Sequence, residues 1–401
     1  MKWIQLVPSI LLGFVVFSCV NAQSFFDAYP SLKNKISQVS LGTYPSPVYN
    51  LAEFASCHNM KAFYVKDDGA CGPVDGQGRV LPSGNKVRKL EFYLAEAKNK
   101  GYATVLTTGS AGSSHALATA IYARLLGLEA VLLLGNQRPT SYTVRNLKLM
   151  AQFAKEIKYS ASEDAIFDKE AQDLCQKEGY YYIPAGGTSP LGDLGYVSAM
   201  FELQDQIKAG VLPEPDIIYI SLGTTGTAAG AILGAMGAGI KSKIIPVRIS
   251  WTPEYKINLL ISRINETGTW LKALDPTFPF VPATPETVSI ENNFAGGTYS
   301  YALATPEAAN AIDAFYQETE KVLGHGIKLE PTYTSKTLSA ILGHEAQGIL
   351  KDKTVLFWNT FSYGTFEEFT SSMTQEQLLK ILPVQLHHYL TDQLQPLDRG
   401  C

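Results

Sequence analysis

Short apolar runs alternate with longer helix-like stretches through most of this chain. The runs rich in β-branched residues cover residues 103–109, 129–135, 216–223, 243–250 and 353–360. Near-continuous apolar strands separated by helices are typical of parallel sheets that are covered by helices on both faces. The pattern therefore predicts an α/β fold, in which ligands bind at the carboxyl ends of the strands.

The predicted amphipathic helix that follows the sequence LPSGN begins with a concentration of positive charge. Lys86, Arg88 and Lys89 lie in its first turn. Because the first turn of a helix carries partial positive charge and favours anions, the cations either reach solvent or one of them is held there for a function. A lysine that is buried near cations or apolar groups loses its proton more easily and becomes a nucleophile.

The loop after residues 216–223 has the composition of an anion-binding site at the start of a helix. It consists of Gly223, Thr224, Thr225, Gly226 and Thr227. Glycines let backbone N–H groups approach a ligand, threonines add hydroxyl groups, and the helix N-terminus favours a phosphate. The loop has neither the lysine of a P-loop nor the GxGxxG spacing of a dinucleotide site. A tight strand–helix turn without a ligand is the alternative interpretation.

A second loop, TTGSAGSSHA, joins the strand at 103–109 to a helix that stops at Gly127. Its polar residues are Ser110, Ser113, Ser114 and His115. They form a candidate cradle for a carboxylate, with hydroxyl groups available for proton transfer. Two other interpretations are a helix start capped by Ser113 or Ser114 and the nucleophile elbow of a serine hydrolase, which needs a later histidine and an acid.

A lysine at a helix start, a phosphate loop and a carboxylate cradle together match one cofactor. Pyridoxal phosphate carries a phosphate and an aldehyde and acts on amino acids, so an enzyme that uses it needs all three features.

The motifs that carry these features resemble the D-cysteine desulfhydrase and 1-aminocyclopropane-1-carboxylate (ACC) deaminase family of pyridoxal-phosphate enzymes. They are SGNKVRKLEF, TTGSAGSSHALA, YYYIPAGGTSPLGDLGYVSA, SLGTTGTAAG and LEPTYTSKT, in the order of the family. The resemblance covers residues 41–362. It implies the tryptophan synthase β-like fold (fold type II), with two three-layer α/β domains and the active site in the cleft between them.

The resemblance also implies roles for individual residues at the lysine and the carboxylate cradle. Lys86 matches the lysine that holds the cofactor covalently, and Asn85 precedes it as in the family. Ser113 matches the serine near the substrate carboxylate, which is the nucleophile candidate in the deaminases. Ser114 stands where the family has Asn beside the 3-hydroxyl of the cofactor, and His115 matches the histidine of the desulfhydrase form.

The remaining roles concern the phosphate, the pyridine ring and the substrate. Residues 223–227 match the phosphate loop. Tyr299 and Tyr333 match the two active-site tyrosines, of which one is expected to stack on the ring and one to face the substrate. Thr334 and Thr360 stand near the pyridine nitrogen, where ACC deaminases have Glu and Leu.

Thr334 and Thr360 both match the desulfhydrase side of the family. A hydroxyl holds a protonated pyridine nitrogen less strongly than a carboxylate does, and β-elimination tolerates this better than opening a cyclopropane ring. We therefore expect a lyase that converts D-cysteine to pyruvate, ammonia and sulfide, with no metal. ACC deaminase and a non-catalytic amino-acid binder are the alternatives. Ser114 and the Phe361-Ser362 pair, which replaces Gly-Gly, indicate an altered pocket.

The same resemblance suggests how the domains and charges are arranged. We expect a large cofactor-binding domain of residues 23–99 and 201–401, a small inserted domain of residues 100–200, and a homodimer. Arg88 and Lys89 would supply positive potential that lowers the pKa of Lys86 and attracts anionic ligands.

The charge balance, the N-terminal segment and the cysteines indicate which partners and which cellular compartment to expect. The 33 basic and 37 acidic residues argue against nucleic-acid binding. Residues 1–22 read as a signal peptide, so we expect a periplasmic or secreted protein. A retained membrane anchor or a lipoprotein signal is the alternative. With no CxxC pair a zinc site is not expected, and Cys57 and Cys71 form either a disulfide or two free thiols.

Overall fold

The computed structural model describes residues 24–74, 80–82, 84–161, 168–362 and 373–399. The predicted signal peptide lies outside these residues. Within them, every helix is too short or too polar to cross a bilayer. Cys57 is exposed, Cys71 is buried, and each is a free thiol.

One sheet contains the last strand of the chain at its centre. It is formed by β1 (Val48–Asn50), β2 (Ala62–Asp67), β7 (Ile217–Leu222), β8 (Lys243–Arg248) and β9 (Thr354–Asn359). The order across the sheet is β1-β2-β9-β7-β8. Only β1 runs antiparallel to its neighbour, and the other described pairs are parallel.

A second, fully parallel sheet lies between the two parts of the first in sequence. Its strands are β3 (Thr104–Ser110), β4 (Glu129–Gly135), β5 (Glu156–Tyr159) and β6 (Tyr181–Ile183), in the order β5-β4-β3-β6. The apolar runs at 103–109, 129–135, 216–223, 243–250 and 353–360 all contain strands, so the predicted parallel architecture is confirmed.

Helices cover both faces of each sheet. They are α1 (Ser24–Ala28), α2 (Pro30–Lys33), α3 (Ala52–Cys57), α4 (Lys86–Asn99), α5 (Ser114–Leu125), α6 (Ser141–Phe153), α7 (Asp168–Glu178), α8 (Pro190–Lys208), α9 (Gly226–Ala238), α10 (Pro253–Leu274), α11 (Pro306–Leu323), α12 (Thr334–Ala346) and α13 (Gln375–Ile381). Alternate residues of β7, such as Ile218 and Tyr219, belong to different apolar clusters. The larger sheet is therefore the middle of three layers. The smaller sheet is also a middle layer, with α5 on one face and α7 on the other.

Two segments pack differently from the predicted domain division. Leu194, Val197 and Leu203 of α8 lie in an apolar cluster with the larger sheet, although α8 begins before residue 200. Conversely, Leu378 of α13 and Tyr389 pack with the core of the smaller sheet. The chain thus returns at its C-terminus to cover the domain that it left about two hundred residues earlier.

Helix α4 lies between the two domains and is buried on nearly all sides. Leu90 and Leu94 pack in the core of the smaller sheet, whereas Phe92 packs in the core of the larger one. A helix with apolar surroundings on all sides has no solvent face, so the predicted amphipathic helix is in fact buried over most of its length.

A network of four buried charges fixes the start of α4. Arg88 Nη2 lies 2.9 Å from Asp68 Oδ1, Arg88 Nη1 lies 2.8 Å from Glu202 Oε2, and Lys66 Nζ lies 2.6 Å from Glu202 Oε1. Burial alone would raise the pKa of Glu202, but Arg88 and Lys66 overcome this and hold the pKa well below its ordinary value. Glu202 is therefore ionised at neutral pH.

Replacing Glu202 with Gln is expected to lower the free energy of unfolding by about 3–5 kcal/mol at pH 7, because it leaves buried cations without a full counter-charge. The folded pKa of Glu202 is depressed, so its contribution is present above the ordinary value of 4.5 and is lost as the pH falls below it. The variant should therefore lose less stability on acidification than the wild type. Urea unfolding followed by circular dichroism measures both effects.

Glu376→Gln is the matched control, because Glu376 forms an exposed i,i+4 pair with Lys380. Its effect should stay below about 1 kcal/mol. Equal losses in the two variants would contradict the role given to the buried network.

Candidate active site

Lys86 is the first residue of α4, and the residues before it are held on two sides. The Asn85 N–H donates to the Thr360 carbonyl at 3.2 Å, and Asn85 Nδ2 donates to Thr227 Oγ1 at 3.1 Å. Gly84 has a φ of +55°, and a Cβ there would lie 2.8 Å from the Thr360 carbonyl oxygen. Only glycine fits this approach, so the GN pair joins the lysine to β9 and to the loop before α9.

The Lys86 amine is a weak base for a lysine. Lys86 is half-buried, and its burial together with the neighbouring Lys89 lowers the pKa of the amine to about 7. Arg88 is neutralised by Asp68 and Glu202. The predicted effect of neighbouring cations therefore comes from Lys89 and not from Arg88.

The predicted phosphate loop joins β7 to α9 at the carboxyl edge of the larger sheet. Thr225 has a φ of +78°, and its buried Oγ1 has no hydrogen-bond partner in the described part of the chain. Thr224 Oγ1 lies 2.7 Å from Thr188 Oγ1. A Cβ on Gly223 would lie 2.9 Å from Tyr333 Cε1, so the tyrosine ring covers the start of the loop.

Lys89 lies directly against this loop, one helical turn after Lys86. A Cβ on Gly226 would lie 2.9 Å from Lys89 Nζ and would collide with Asp193 Oδ1. Burial lowers the pKa of Lys89, although Asp193 opposes the shift. Lys89 Nζ also donates to the Gly186 carbonyl at 3.2 Å. The amine therefore supplies a cation at the position where the loop would hold a phosphate.

The predicted carboxylate cradle joins β3 to α5. Ser113 caps α5, and its Oγ accepts the Ala116 N–H at 3.1 Å. The capped helix start is thus present. The first N–H groups of a helix have no intrahelical partner, so those of Ser114 and His115 are available to an anion.

His115 is buried next to both lysines. A Cβ on Gly187 would lie 3.1 Å from His115 Cε1 and 3.3 Å from Lys89 Cδ. Burial, Lys86 and Lys89 hold the pKa of His115 well below its ordinary value, and the Pro184 carbonyl only partly opposes this. The imidazole is therefore neutral and adds no charge beside Lys86.

Two tyrosines meet at the site, and one of them is not the predicted residue. Tyr333 OH lies 3.0 Å from Tyr301 OH, and Ser110 Oγ lies 3.3 Å from the same Tyr301 hydroxyl. Tyr299 is 81% exposed and points to solvent. The assignment of Tyr299 to the site is therefore wrong, and Tyr301 occupies the position. The tyrosines are two residues apart on a segment without regular structure, so no periodicity distinguished them.

Thr334 and Thr360, which were predicted to lie near the pyridine nitrogen, form hydrogen bonds within the protein. The Thr334 hydroxyl is buried, accepts the Glu330 N–H at 3.1 Å and donates to Glu330 Oε1 at 3.3 Å. Glu330 in turn accepts the N–H groups of Thr332, Tyr333 and Thr334. Thr334 therefore fixes the turn that carries Tyr333, while the Thr360 carbonyl fixes Asn85.

The residues present fit pyridoxal phosphate. Within the described residues, Thr225 Oγ1 and Asp193 Oδ1 are buried polar atoms without a hydrogen-bond partner. Both lie at the phosphate loop beside Lys89, and each such group costs about 1–3 kcal/mol when it is unpaired, so a ligand with hydrogen-bonding groups fits there. The phosphate loop with Lys89 suits a phosphate, and the Lys86 amine suits an aldehyde.

Comparison with known proteins agrees with this chemistry. A family model described as "Pyridoxal-phosphate dependent enzyme" matches residues 39–360. The chain therefore belongs to this family of pyridoxal-phosphate enzymes, and its fold is the tryptophan synthase β-like one.

Two individual relatives have the same printed name. A Pyrococcus abyssi protein named "Putative 1-aminocyclopropane-1-carboxylate deaminase" is 28% identical over 351 residues, which cover 83% of this chain and 96% of that protein. A Thermotoga maritima protein of the same name is 29% identical over 343 residues, covering 82% and 98%.

Solved structures give the same fold. A crystal structure of an ACC deaminase homologue has a TM-score of 0.68 and 27% identity, and the match covers 88% of this chain and 99% of that one. Threonine deaminase isoform 2 from Solanum lycopersicum has a TM-score of 0.56 with 14% identity, over 94% and 100%. The second likeness shows the fold alone.

The low pKa of Lys86 can be measured by competitive acetylation of protein freed of cofactor, with peptide mass spectrometry. Labelling of Lys86 should have its midpoint near pH 7. In Lys89→Met the midpoint should move to higher pH, because the neighbouring positive charge is removed. Lys98→Met, an exposed lysine at the end of the same helix, should leave the midpoint unchanged. A midpoint near 10 in the wild type would contradict the burial of the amine.

Proposed function

We propose that this chain is a pyridoxal-phosphate-dependent lyase that removes the α-proton and a β-leaving group from a small amino acid, with D-cysteine as substrate. The observation that carries the proposal is the Lys86 amine, with a pKa of about 7, between a phosphate loop and a carboxylate cradle. When bound, the cofactor supplies an aldehyde for Lys86 and a ring that withdraws electrons from the substrate's α-carbon.

Residues of the 110–115 loop bind and orient the substrate. Its carboxylate would accept the N–H groups of Ser114 and His115 at the start of α5, where the helix dipole favours an anion. The neutral imidazole of His115 leaves this binding to the backbone and the helix. Ser113 Oγ already accepts an N–H, so its own proton remains available for donation.

Lys86 is the proposed base for the α-proton. An amine with a pKa of about 7 is partly unprotonated at neutral pH, whereas an ordinary lysine is almost wholly protonated. General bases work best when their pKa lies near the operating pH. The lowered pKa therefore lets Lys86 accept a proton at neutral pH.

Tyr301 and Tyr333 are proposed to donate hydrogen bonds to the leaving group. Burial raises the pKa of Tyr301, and it raises that of Tyr333 well above its ordinary value. Both phenols therefore keep their protons, so they stabilise the charge that develops on sulfur as hydrogen-bond donors and do not act as bases. Ser110 and Ser113 are further hydroxyl groups close to this path.

The overall reaction is balanced by one water. The C–H bond at the α-carbon and the C–S bond at the β-carbon break, and sulfur leaves with a proton as hydrogen sulfide. The released enamine is hydrolysed to pyruvate and ammonia. Ring opening of ACC is the second candidate, because two relatives carry that name. The Thr334 hydroxyl, paired with Glu330, favours the elimination reaction since it offers no carboxylate to a pyridine nitrogen.

The test combines the absorption spectrum with a substrate panel. The purified protein should have a visible cofactor band that borohydride removes, with the reduced cofactor on Lys86 in peptide maps. D-cysteine should release sulfide and pyruvate faster than L-cysteine, D-serine or ACC. Lys86→Ala should reduce turnover by at least about 10⁴-fold while the protein remains folded.

Each result has a distinct meaning. Preference for ACC, with 2-oxobutyrate as product, would replace the elimination proposal by the second candidate. Turnover retained in Lys86→Ala would overturn the role of the lysine. A cofactor band without turnover of any amino acid would indicate a binding protein.

The finding that Tyr301, and not Tyr299, lies at the site can be tested separately. Tyr301→Phe should lower kcat for elimination by about 10²–10³-fold, the range for removing one hydrogen-bond donor to a developing negative charge, with little change in the cofactor band. Tyr299→Phe should behave as the wild type, because that side chain is 81% exposed. The reverse pattern in steady-state kinetics would restore the original assignment of Tyr299.

A further inference from the structure

Lys336, in the first turns of α12, has a fully buried ammonium group surrounded by backbone oxygens. Its Nζ donates to the carbonyls of Ala295 and Ser300, each at 2.9 Å, and to that of Ile249 at 3.3 Å. In the described part of the chain these carbonyls are its hydrogen-bond partners. Three main-chain oxygens therefore surround one buried side-chain amine, and each of them accepts one of its hydrogen bonds.

The charged groups around Lys336 affect its pKa but do not form a salt bridge with it in the described residues. Burial lowers its pKa to about 7, with Glu330 opposing the shift and Arg138 and Arg248 adding to it. A neutral amine has two N–H bonds, whereas the three carbonyls need the three N–H bonds of an ammonium group, so the protonated form is the one that fits this geometry. The nearest opposing charge, Glu330, is already bonded to three backbone N–H groups. The ammonium group is therefore held by carbonyl dipoles and by its covalent tether, and it forms no salt bridge in the described residues.

The carbonyls that bind Lys336 belong to the segments that carry the active-site hydroxyl groups. Ser300 directly precedes Tyr301, and Ile249 follows β8. Lys336 itself lies three residues after Tyr333, which is the N-cap of α12. One ammonium group thus joins the helix that bears one tyrosine to the irregular segment that bears the other.

We propose that Lys336 is a built-in cation that organises residues 295–301 and so positions the Tyr301 hydroxyl against Tyr333 and Ser110. Lys336 is a positioning residue, since its amine contacts backbone and not the reacting groups. Its catalytic consequence rests on the elimination reaction proposed above. Without the cation, three carbonyls would face each other in a dry site, and the segment would rearrange to reach water.

The experiment removes the lysine side chain by mutation and supplies the ammonium group as a small molecule. Lys336→Ala deletes the atoms of n-propylamine, so n-propylammonium chloride can refill the space. In the holoenzyme, kcat for D-cysteine should fall by about 100-fold, the effect of misplacing a reacting group by about 1 Å. Millimolar n-propylammonium should raise the kcat of the variant by at least about tenfold. 1-Propanol, which has a similar shape and no charge, should leave kcat unchanged.

A second readout does not depend on turnover. The Leu303 N–H donates to the Ser300 carbonyl at 3.0 Å, and the Trp251 N–H donates to the Thr298 carbonyl at 2.6 Å. Hydrogen exchange at both amides should accelerate in Lys336→Ala and slow again with n-propylammonium. If the wild type turns over no amino acid, the function proposal fails, while this exchange still tests the cation.

Control variants separate positioning from general stability. Lys351→Ala removes an exposed lysine beyond the end of α12 and should change neither kcat nor exchange. Lys336→Gln keeps two donors and a similar length, so it should fold even if the alanine variant does not, and its kcat should lie between those of wild type and alanine. Rescue by 1-propanol equal to that by n-propylammonium, or unchanged exchange at Leu303 in both variants, would overturn the proposal.

Discussion

The site depends on the burial of Arg88 between Asp68 and Glu202. A buried charge without partners costs several kcal/mol, so α4 is stable only in the rotation that presents Arg88 to both carboxylates. At about 3.6 residues per turn, Lys86 and Lys89 are about 60° apart around the helix, and Arg88 lies about 160° from Lys86 and about 100° from Lys89. The ion pairs behind the helix therefore aim both lysines at the cleft. Burial also produces the chemistry, since the desolvation that makes Arg88 need its partners lowers the pKa of Lys86 and of Lys89.

The parts of the fold that could be predicted are those in which local sequence and tertiary packing agree. The strands of both sheets with continuous apolar runs were recognisable, because strands covered on both faces are apolar throughout. β2 is absent from the predicted strands although it is wholly buried after its first residue. It contains Lys66 and ends at Asp67, and charged residues argue against a buried strand. Lys66 is satisfied by Glu202, a partner 136 residues away, which no local pattern could reveal.

In the active site, too, features set by local sequence could be predicted and features set by long-range contacts could not. The strand–glycine–helix loops at 110–115 and 223–227 could be predicted, since loop composition and helix start are both local. Tyr301, Asp193 and Glu330 could not, because their roles depend on contacts between segments that are distant in the chain. Lys89 was predicted as a source of positive potential beside Lys86, and it acts on Lys86 because residues three apart share a face of a helix. The distinction between desulfhydrase and deaminase was predicted from Thr334 and Thr360, but the bond between the Thr334 hydroxyl and Glu330 could not be predicted, because a residue's type does not reveal its partner.

The central position of β9 affects the time at which the protein can fold. β2 and β7 each pair with β9, and β9 is made almost three hundred residues after β2. The core of the smaller sheet also waits, because Tyr389 donates to the carbonyl of Gln137, 252 residues earlier. Long-range pairings of this kind form late, since the loops must close before the contacts stabilise them. During synthesis, the larger sheet therefore lacks its central strand until β9 has been made, and the core of the smaller sheet lacks the Tyr389 contact until later still. The strands made first wait for most of synthesis before they gain their pairing partner.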